Sequence, residues 1–247
     1  HATTPFLARR NASAHCACSG NVGSNDDDIP GVPSPEALSG VMSALGITRD
    51  SHVVAYDDEG GGWAGRLLWT LALLGHTRYS YLNGGLHAWQ GDGLPLSDTA
   101  SDWSPSEYHA AYMDTSVMAT REDILDRLAA EDPQESVVVW DARSAEEYRG
   151  EKGQNARLGH IPGAVHFEWT EAMDRERNLR IRDYAELVTE LGARGLNPEQ
   201  HIVTHCQSHH RSGLTWLVGQ ALGFSDVRAY PGSWKEWGNR DDTPIER

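Results

Sequence analysis

The chain has 247 residues, 39% of them hydrophobic and 23% charged, which is the composition of an ordinary folded protein with one large or two small domains. Its formal net charge of −15, from 36 acidic and 21 basic residues, repels phosphate backbones and anionic bilayers, so neither nucleic acid nor a membrane surface is an expected partner. No apolar run approaches the ~18 residues of a membrane span, and three cysteines make no disulfide framework, which fits a reducing, cytoplasmic compartment.

Residues 1–28 show no periodicity and are expected to be disordered. Within them His15-Cys16-Ala17-Cys18 has two close thiols but no second ligand pair, so no metal site and no cofactor is expected. Ser34-Pro35-Glu36 predicts a helix start, with Ser as cap and Pro in the first turn. The apolar run Val53-Val54-Ala55-Tyr56 reads as a strand and leads into an acidic, glycine-rich loop from Asp57 to Trp63. Ser97 to Ser116 is polar and reads as a linker. Beyond it, Thr120 with Asp123 predicts a capped helix carrying Ile124, Leu125 and Leu128. Val137-Val138-Val139-Trp140 predicts a buried strand ending in Asp141-Ala142-Arg143-Ser144. Gly159 to Ala164 reads as a turn feeding the short strand Val165-His166-Phe167, and Asp183 to Arg194 as an amphipathic helix closed by Gly195.

The most informative stretch follows, Thr204-His205-Cys206-Gln207-Ser208-His209-His210-Arg211-Ser212-Gly213. It comes after the apolar pair Ile202-Val203 and opens a segment with helical spacing through Leu214, Leu217, Val218, Ala221 and Leu222. The predicted order is strand, tight loop, helix, with Cys206 the first loop residue. Such a loop gathers unpaired backbone N–H groups and the positive end of a helix dipole around one point. A thiol there, beside Arg211 and two histidines, should ionise more readily, and the thiolate is the nucleophilic form. A merely structural cysteine at a strand end would not be followed by Gln, Ser, His, His and Arg in a row.

An internal repeat organises the chain. Leu74-Gly75 through Trp89 aligns with Leu222-Gly223 through Trp237 at a constant offset of 148 residues. Upstream, Val53 to Tyr56 matches Ile202 to His205, and Asp57 falls where Cys206 falls, in a loop one residue longer. Each copy alternates strands and helices, which predicts an α/β fold with a mainly parallel sheet flanked by helices. The expected layout is an unassigned segment 1–28, an incomplete and catalytically silent first copy over 29–97, a linker over 98–116 and a catalytic copy over 117–247. The counterpart of Asp141 would precede residue 1, so the first copy reads as truncated.

From about Ile29 onward the chain resembles the two-domain rhodaneses, or thiosulfate sulfurtransferases. The resemblance is carried by Asp141-Ala142-Arg143-Ser144 with Glu147-Tyr148, Gly159-His160-Ile161-Pro162-Gly163-Ala164, the Cys206 loop and Gly232-Ser233-Trp234. The loop, with Gln, Ser and two histidines after the cysteine, is most similar to those of certain bacterial rhodaneses. This resemblance implies tandem rhodanese-like domains, an inactive one packed on an active one. It implies that Cys206 takes sulfur from a small anionic donor such as thiosulfate, becomes a persulfide, and passes it to cyanide, a thiol or a protein acceptor. Backbone N–H groups from Gln207 to Ser212 (Gln207, Ser208, His209, His210, Arg211 and Ser212) would cradle the persulfide, with Arg211 closing the loop.

Two departures bear on the donor. The loop has neither the basic pair nor the Gly-Ser-Gly run of well-known thiosulfate or mercaptopyruvate enzymes, and Glu147 stands where those enzymes place an arginine. Arg149 is the expected substitute for that guanidinium. Asp141 with Arg143 is expected to be a structural pair, and His160 a structural turn residue. Either His209 or His210 could protonate and draw an anionic donor, and Trp169 could wall the pocket. The alternatives are 3-mercaptopyruvate as donor, a cysteine phosphatase of the same fold, or a non-catalytic binding module. Four residues separate Cys206 from Arg211, one fewer than in the cell-cycle phosphatases, so the cradle suits a single sulfur better than a phosphate.

Overall fold

The computed structural model describes residues 29–99, 102–130 and 137–247. The disorder expected of residues 1–28 lies outside them. The first copy is built from α1 (Pro35–Ala44), β1 (Val53–Ala55), α2 (Gly62–Leu73), β2 (Tyr79–Tyr81) and α3 (Gly85–Gly91). Ser34 caps α1 as expected, its hydroxyl accepting the Ala37 N–H, with Pro35 at the first helical position. β1 and β2 pair in parallel, Val53 opposite Tyr79. The polar stretch read as a linker is not a free tether. The Tyr108 and Ala110 N–H groups donate to Ser43 and Ser39 of α1, and the Tyr112 hydroxyl donates to the Pro33 carbonyl, so the segment is bound along the first copy.

The second copy comprises α4 (Arg121–Leu128), β3 (Val137–Asp141), α5 (Ala145–Tyr148), β4 (Val165–His166), β5 (Met173–Asp174), β6 (Arg180–Ile181), α6 (Tyr184–Ala193), β7 (His201–His205), α7 (Arg211–Ala221), β8 (Asp226–Ala229) and α8 (Ser233–Trp237). Thr120 and Asp123 form the expected capping box on α4, and Asp183 caps α6. Four strands make a parallel sheet in the order β4-β3-β7-β8, while β5 and β6 form a small antiparallel pair. Parallel pairing forces each strand to be followed by a crossover, which sends helices to both faces and buries β7 between two neighbours. No helix of the described residues is long and apolar enough to cross a membrane.

The two copies meet through α2 and α7, which the 148-residue offset makes equivalent. Both are buried on nearly every side, because each covers its own sheet and faces the other helix. They cross at Gly65 and Gly213, themselves 148 residues apart. A Cβ on Gly65 would run into the Gly213 carbonyl, and one on Gly213 would sit 2.5 Å from the Arg66 nitrogen and 3.0 Å from the Gly62 oxygen. Only glycine lets two backbones approach this closely. One continuous core therefore joins the copies, uniting Leu68 and Trp69 with Leu214, Trp216 and Trp140, and a second cluster around Ile124, Val203, Trp234 and Trp237 fills the other face of the large sheet.

This crossing is testable against a neutral site. Gly65→Ala is expected to destabilise the fold by about 1–3 kcal/mol through overpacking, read from the urea midpoint at unchanged m. Gly40→Ala in α1, where an added Cβ meets nothing, is expected to stabilise by about 0.5–1 kcal/mol.

Candidate active site

Cys206 leaves the C-terminal end of the central strand β7, the edge at which open α/β sheets build their sites. The loop turns at once into α7, with His209 in the left-handed region at φ 55°. The N–H groups of Trp234 and Lys235, in the first turn of α8, donate to the Cys206 and Gln207 oxygens at 3.0 and 2.9 Å. Ser233 Oγ receives the N–H groups of Cys206 at 3.4 Å and His209 at 3.0 Å while donating to the Tyr230 carbonyl. The cradle is thus narrower than the sequence implied, since the His209 N–H is taken by Ser233. The N–H groups of Ser208 and Ser212 remain turned to the sulfur.

Cys206 is only 1% exposed. Burial alone would push its thiol up, but the Arg211 charge, the Ser212 hydroxyl and the Ser212 and Ser208 N–H groups outweigh it and hold the thiol below its ordinary value. Arg211 is locked in a two-pronged pair with Glu147 at 2.6 and 2.9 Å. Burial would lower the Arg211 pKa, yet Glu147 and the Cys206 sulfur raise it, and burial of Glu147 is likewise overcome by Arg211. Glu147, the departure noted in the sequence, is therefore the counter-ion of the loop arginine. Arg149, expected to replace the missing guanidinium, is half exposed and turned to Glu151 at 2.8 and 2.9 Å, outside this network.

Beneath the loop, Asp141 and Arg143 form the expected structural pair, both buried, with Arg143 also donating to the Gly159 carbonyl and lying over Trp234. Burial would raise the Asp141 pKa, but His205 and Arg143 beside it hold the carboxyl far below the usual range. Gln207 is held aside by Asn155, whose amide donates in turn to the Trp234 carbonyl, while Ser208 stays exposed. His160 is structural as expected, stacked on Tyr148 at 3.8 Å.

The two loop histidines differ from the sequence reading. His209 is no solvated cation that draws an anion. It is fully buried against the edge of Trp69, with Nδ1 2.8 Å from the Ser212 hydroxyl, and its carbonyl receives Arg66 of the first copy at 3.5 Å. Burial, Arg66 and His210 depress its pKa well below an ordinary imidazole. His210 is sandwiched between Trp63 at 4.0 Å and Trp169 at 6.0 Å, and its Nε2 is hydrogen-bonded to Glu59 of the first copy. Trp169 thus flanks the loop while also packing on the core. Arg66, Trp69, Trp63 and Glu59 were not anticipated, because they lie about 150 residues from the loop in sequence and no local pattern marks them.

The first-copy loop has the same backbone cradle and carries its own anion. The Asp57 carboxylate accepts N–H groups from Glu59, Gly60 and Gly61 at 3.2, 3.1 and 2.8 Å and from Ala64 at 3.0 Å. That is the nest of oriented amides to which helix N-termini lend themselves, occupied from within.

Two outcomes follow from these geometries. Asp57→Ala, which strips four N–H groups of their acceptor, is expected to cost about 1–3 kcal/mol, whereas Asp57→Asn should keep turnover within about tenfold of wild type. Burial and the nearby Arg66 make folded His209 bind its proton less readily than the unfolded chain, where the imidazole regains an ordinary pKa of ~6.5. Below that pH the unfolded chain takes up a proton the folded chain refuses, so stability is full above ~6.5 and falls as pH drops. Urea midpoints at two pH values either side should decline less in His209→Gln than in wild type.

Comparison with known proteins agrees with this architecture. The family model described as a rhodanese-like domain matches twice, at residues 12–92 and 120–240. A thiosulfate sulfurtransferase of Azotobacter vinelandii is 50% identical over 219 residues, covering 88% of this chain and 78% of that one. A thiosulfate sulfurtransferase of Pseudomonas aeruginosa is 46% identical with the same coverage, and a 3-mercaptopyruvate sulfurtransferase of Escherichia coli is 33% identical, covering 87% and 75%. Among solved structures, the anaerobic ergothioneine biosynthesis enzyme of Chlorobium limicola shares the fold at a TM-score of 0.76 and 24% identity, with 96% of this chain and 62% of that one covered. With a rhodanese-like match in each copy and thiosulfate sulfurtransferases 46–50% identical over most of its length, the chain belongs to the two-domain rhodanese family of sulfurtransferases.

Proposed function

We propose that the protein moves a sulfane sulfur from thiosulfate to a thiophilic acceptor, cyanide or a thiol, through a persulfide on Cys206, in the cytoplasm. The observation that carries this reading is a buried thiol whose ionised form is favoured by Arg211, Ser212 and two backbone N–H groups. The Cys206 thiolate attacks the outer sulfur of thiosulfate. The donor's S–S bond breaks and its electron pair leaves on sulfite. The acceptor then attacks the outer persulfide sulfur, and the pair of the second S–S bond returns to Cys206.

The chain's residues divide this work. Burial of the sulfur excludes water from the persulfide, while the Ser208 and Ser212 N–H groups stabilise negative charge there without reorganising. Arg211 supplies the balancing charge and is held in place by Glu147. Ser208 is exposed and Gln207 and His210 are partly so, which makes these three the solvent side of the loop, where donor and acceptor enter. Identity to a 3-mercaptopyruvate sulfurtransferase supports that compound as the second donor to try. A phosphatase is disfavoured, since the loop is one residue shorter and no relative named above carries that activity.

Intact mass spectrometry after exposure to thiosulfate should show one added sulfur, removed by cyanide and absent in Cys206→Ser. Absence of the adduct with every sulfane donor, or hydrolysis of an aryl phosphate, would overturn the reading. The thiolate absorbance that Cys206→Ser abolishes should titrate below the ~8.5 of a free cysteine and shift upward in Arg211→Gln.

A further inference from the structure

The first copy is silent, yet its loop does not face away from the second. The 148-residue offset pairs Gly62 with His210 and Trp63 with Arg211. Where the catalytic loop has an imidazole the silent loop has no side chain, and a Cβ on Gly62 would meet His210 Nε2 at 2.7 Å. Where the catalytic loop has its arginine the silent loop has Trp63, whose ring lies on His210. The two loops are complementary rather than duplicate, and the first forms a slot for His210.

The carboxylates of the silent loop have separate tasks. Asp57 is turned inward onto four N–H groups of its own nest. Glu59, two residues on, reaches across the interface to His210. It is partly exposed, at 36% of its side-chain surface, as is His210 at 24%, so this contact lies at the mouth of the loop and not in the core. The other cations at the site are already matched, Arg211 by Glu147 and Arg143 by Asp141, while Arg66 donates to the Gly31 and His209 carbonyls. Glu59 therefore sets a carboxylate against His210 at the edge of the loop, where a second negative charge on a donor would meet it.

We infer that Glu59 of the silent copy is a specificity-determining residue for the catalytic loop, one that weakens the capture of dianionic sulfur donors relative to monoanionic ones. The inference rests on the persulfide reading above. It acts on donor binding and leaves the sulfur-transfer steps at Cys206 unchanged, because the carboxylate contacts His210 and not the thiol. Repulsion of a second negative charge across partly solvated space amounts to a change of several-fold in binding.

The test is the full chain assayed with two sulfane donors, thiosulfate as dianion and methanethiosulfonate as monoanion, with cyanide as acceptor. In Glu59→Gln the KM for thiosulfate is expected to fall about three- to tenfold at low salt, with a smaller fall for methanethiosulfonate and kcat within about twofold. Glu59→Asp, which keeps the charge, should retain the wild-type ratio of the two KM values. An unchanged or raised thiosulfate KM, or an equal change for both donors, overturns the inference. So does a common loss of kcat with a lower melting temperature, which is what a purely interdomain strut would give. If wild type itself acquires no cyanide-labile sulfur from either donor, it is the persulfide reading that fails.

Discussion

The close crossing of α2 and α7 is the constraint on which the site depends. Gly65 and Gly213 lie within the first turn or so of their helices, so bringing these backbones into contact brings the two preceding loops face to face. Any side chain at either position would separate the helices and with them the walls of the Cys206 loop. The consequences run outward from that contact. Arg66 and Trp69 reach His209 from below, and Trp63 and Glu59 enclose His210 from the side. The first copy, with Asp57 where the second has Cys206, thus supplies walls to the Cys206 loop.

The two copies show one backbone device used for two ends. A strand end, a tight loop and a helix N-terminus present converging N–H groups that favour an anion. In the first copy a carboxylate is the tenant, held by the N–H groups of Glu59, Gly60, Gly61 and Ala64. In the second the tenant is the Cys206 thiol, one bond shorter in reach. The two copies thus share the cradle and differ in its occupant. The first copy's fold keeps the electrostatic solution and fills it.

Charge around Cys206 is balanced locally. Each cation near the loop that bears on the sulfur meets a carboxylate, and the pairs Arg211–Glu147 and Arg143–Asp141 are sheltered from solvent. Paired in this way, buried charges orient the loop without leaving an uncompensated ion in a low-dielectric site. The sulfur is favoured as a thiolate chiefly by short-range donors and one oriented guanidinium, which a negative overall charge of −15 does not cancel.

Much of this was legible in the sequence, because it is local. The capping residues Ser34, Thr120 and Asp183, the apolar strand Val137 to Trp140, and the strand–loop–helix order around Cys206 are each written in neighbouring residues whose backbone preferences act over a few positions. The constant 148-residue offset disclosed the repeat, and the alternation of strands and helices within each copy disclosed the parallel α/β architecture. What the tertiary structure alone decided is which distant side chains share the loop. The burial of His209, the engagement of His210 by Glu59, the turning of Arg149 toward Glu151 and the pairing of Glu147 with Arg211 follow from helix crossing and strand order. Burial and charge pairing are properties of contacts formed between residues far apart in the chain, and periodicity carries no record of them.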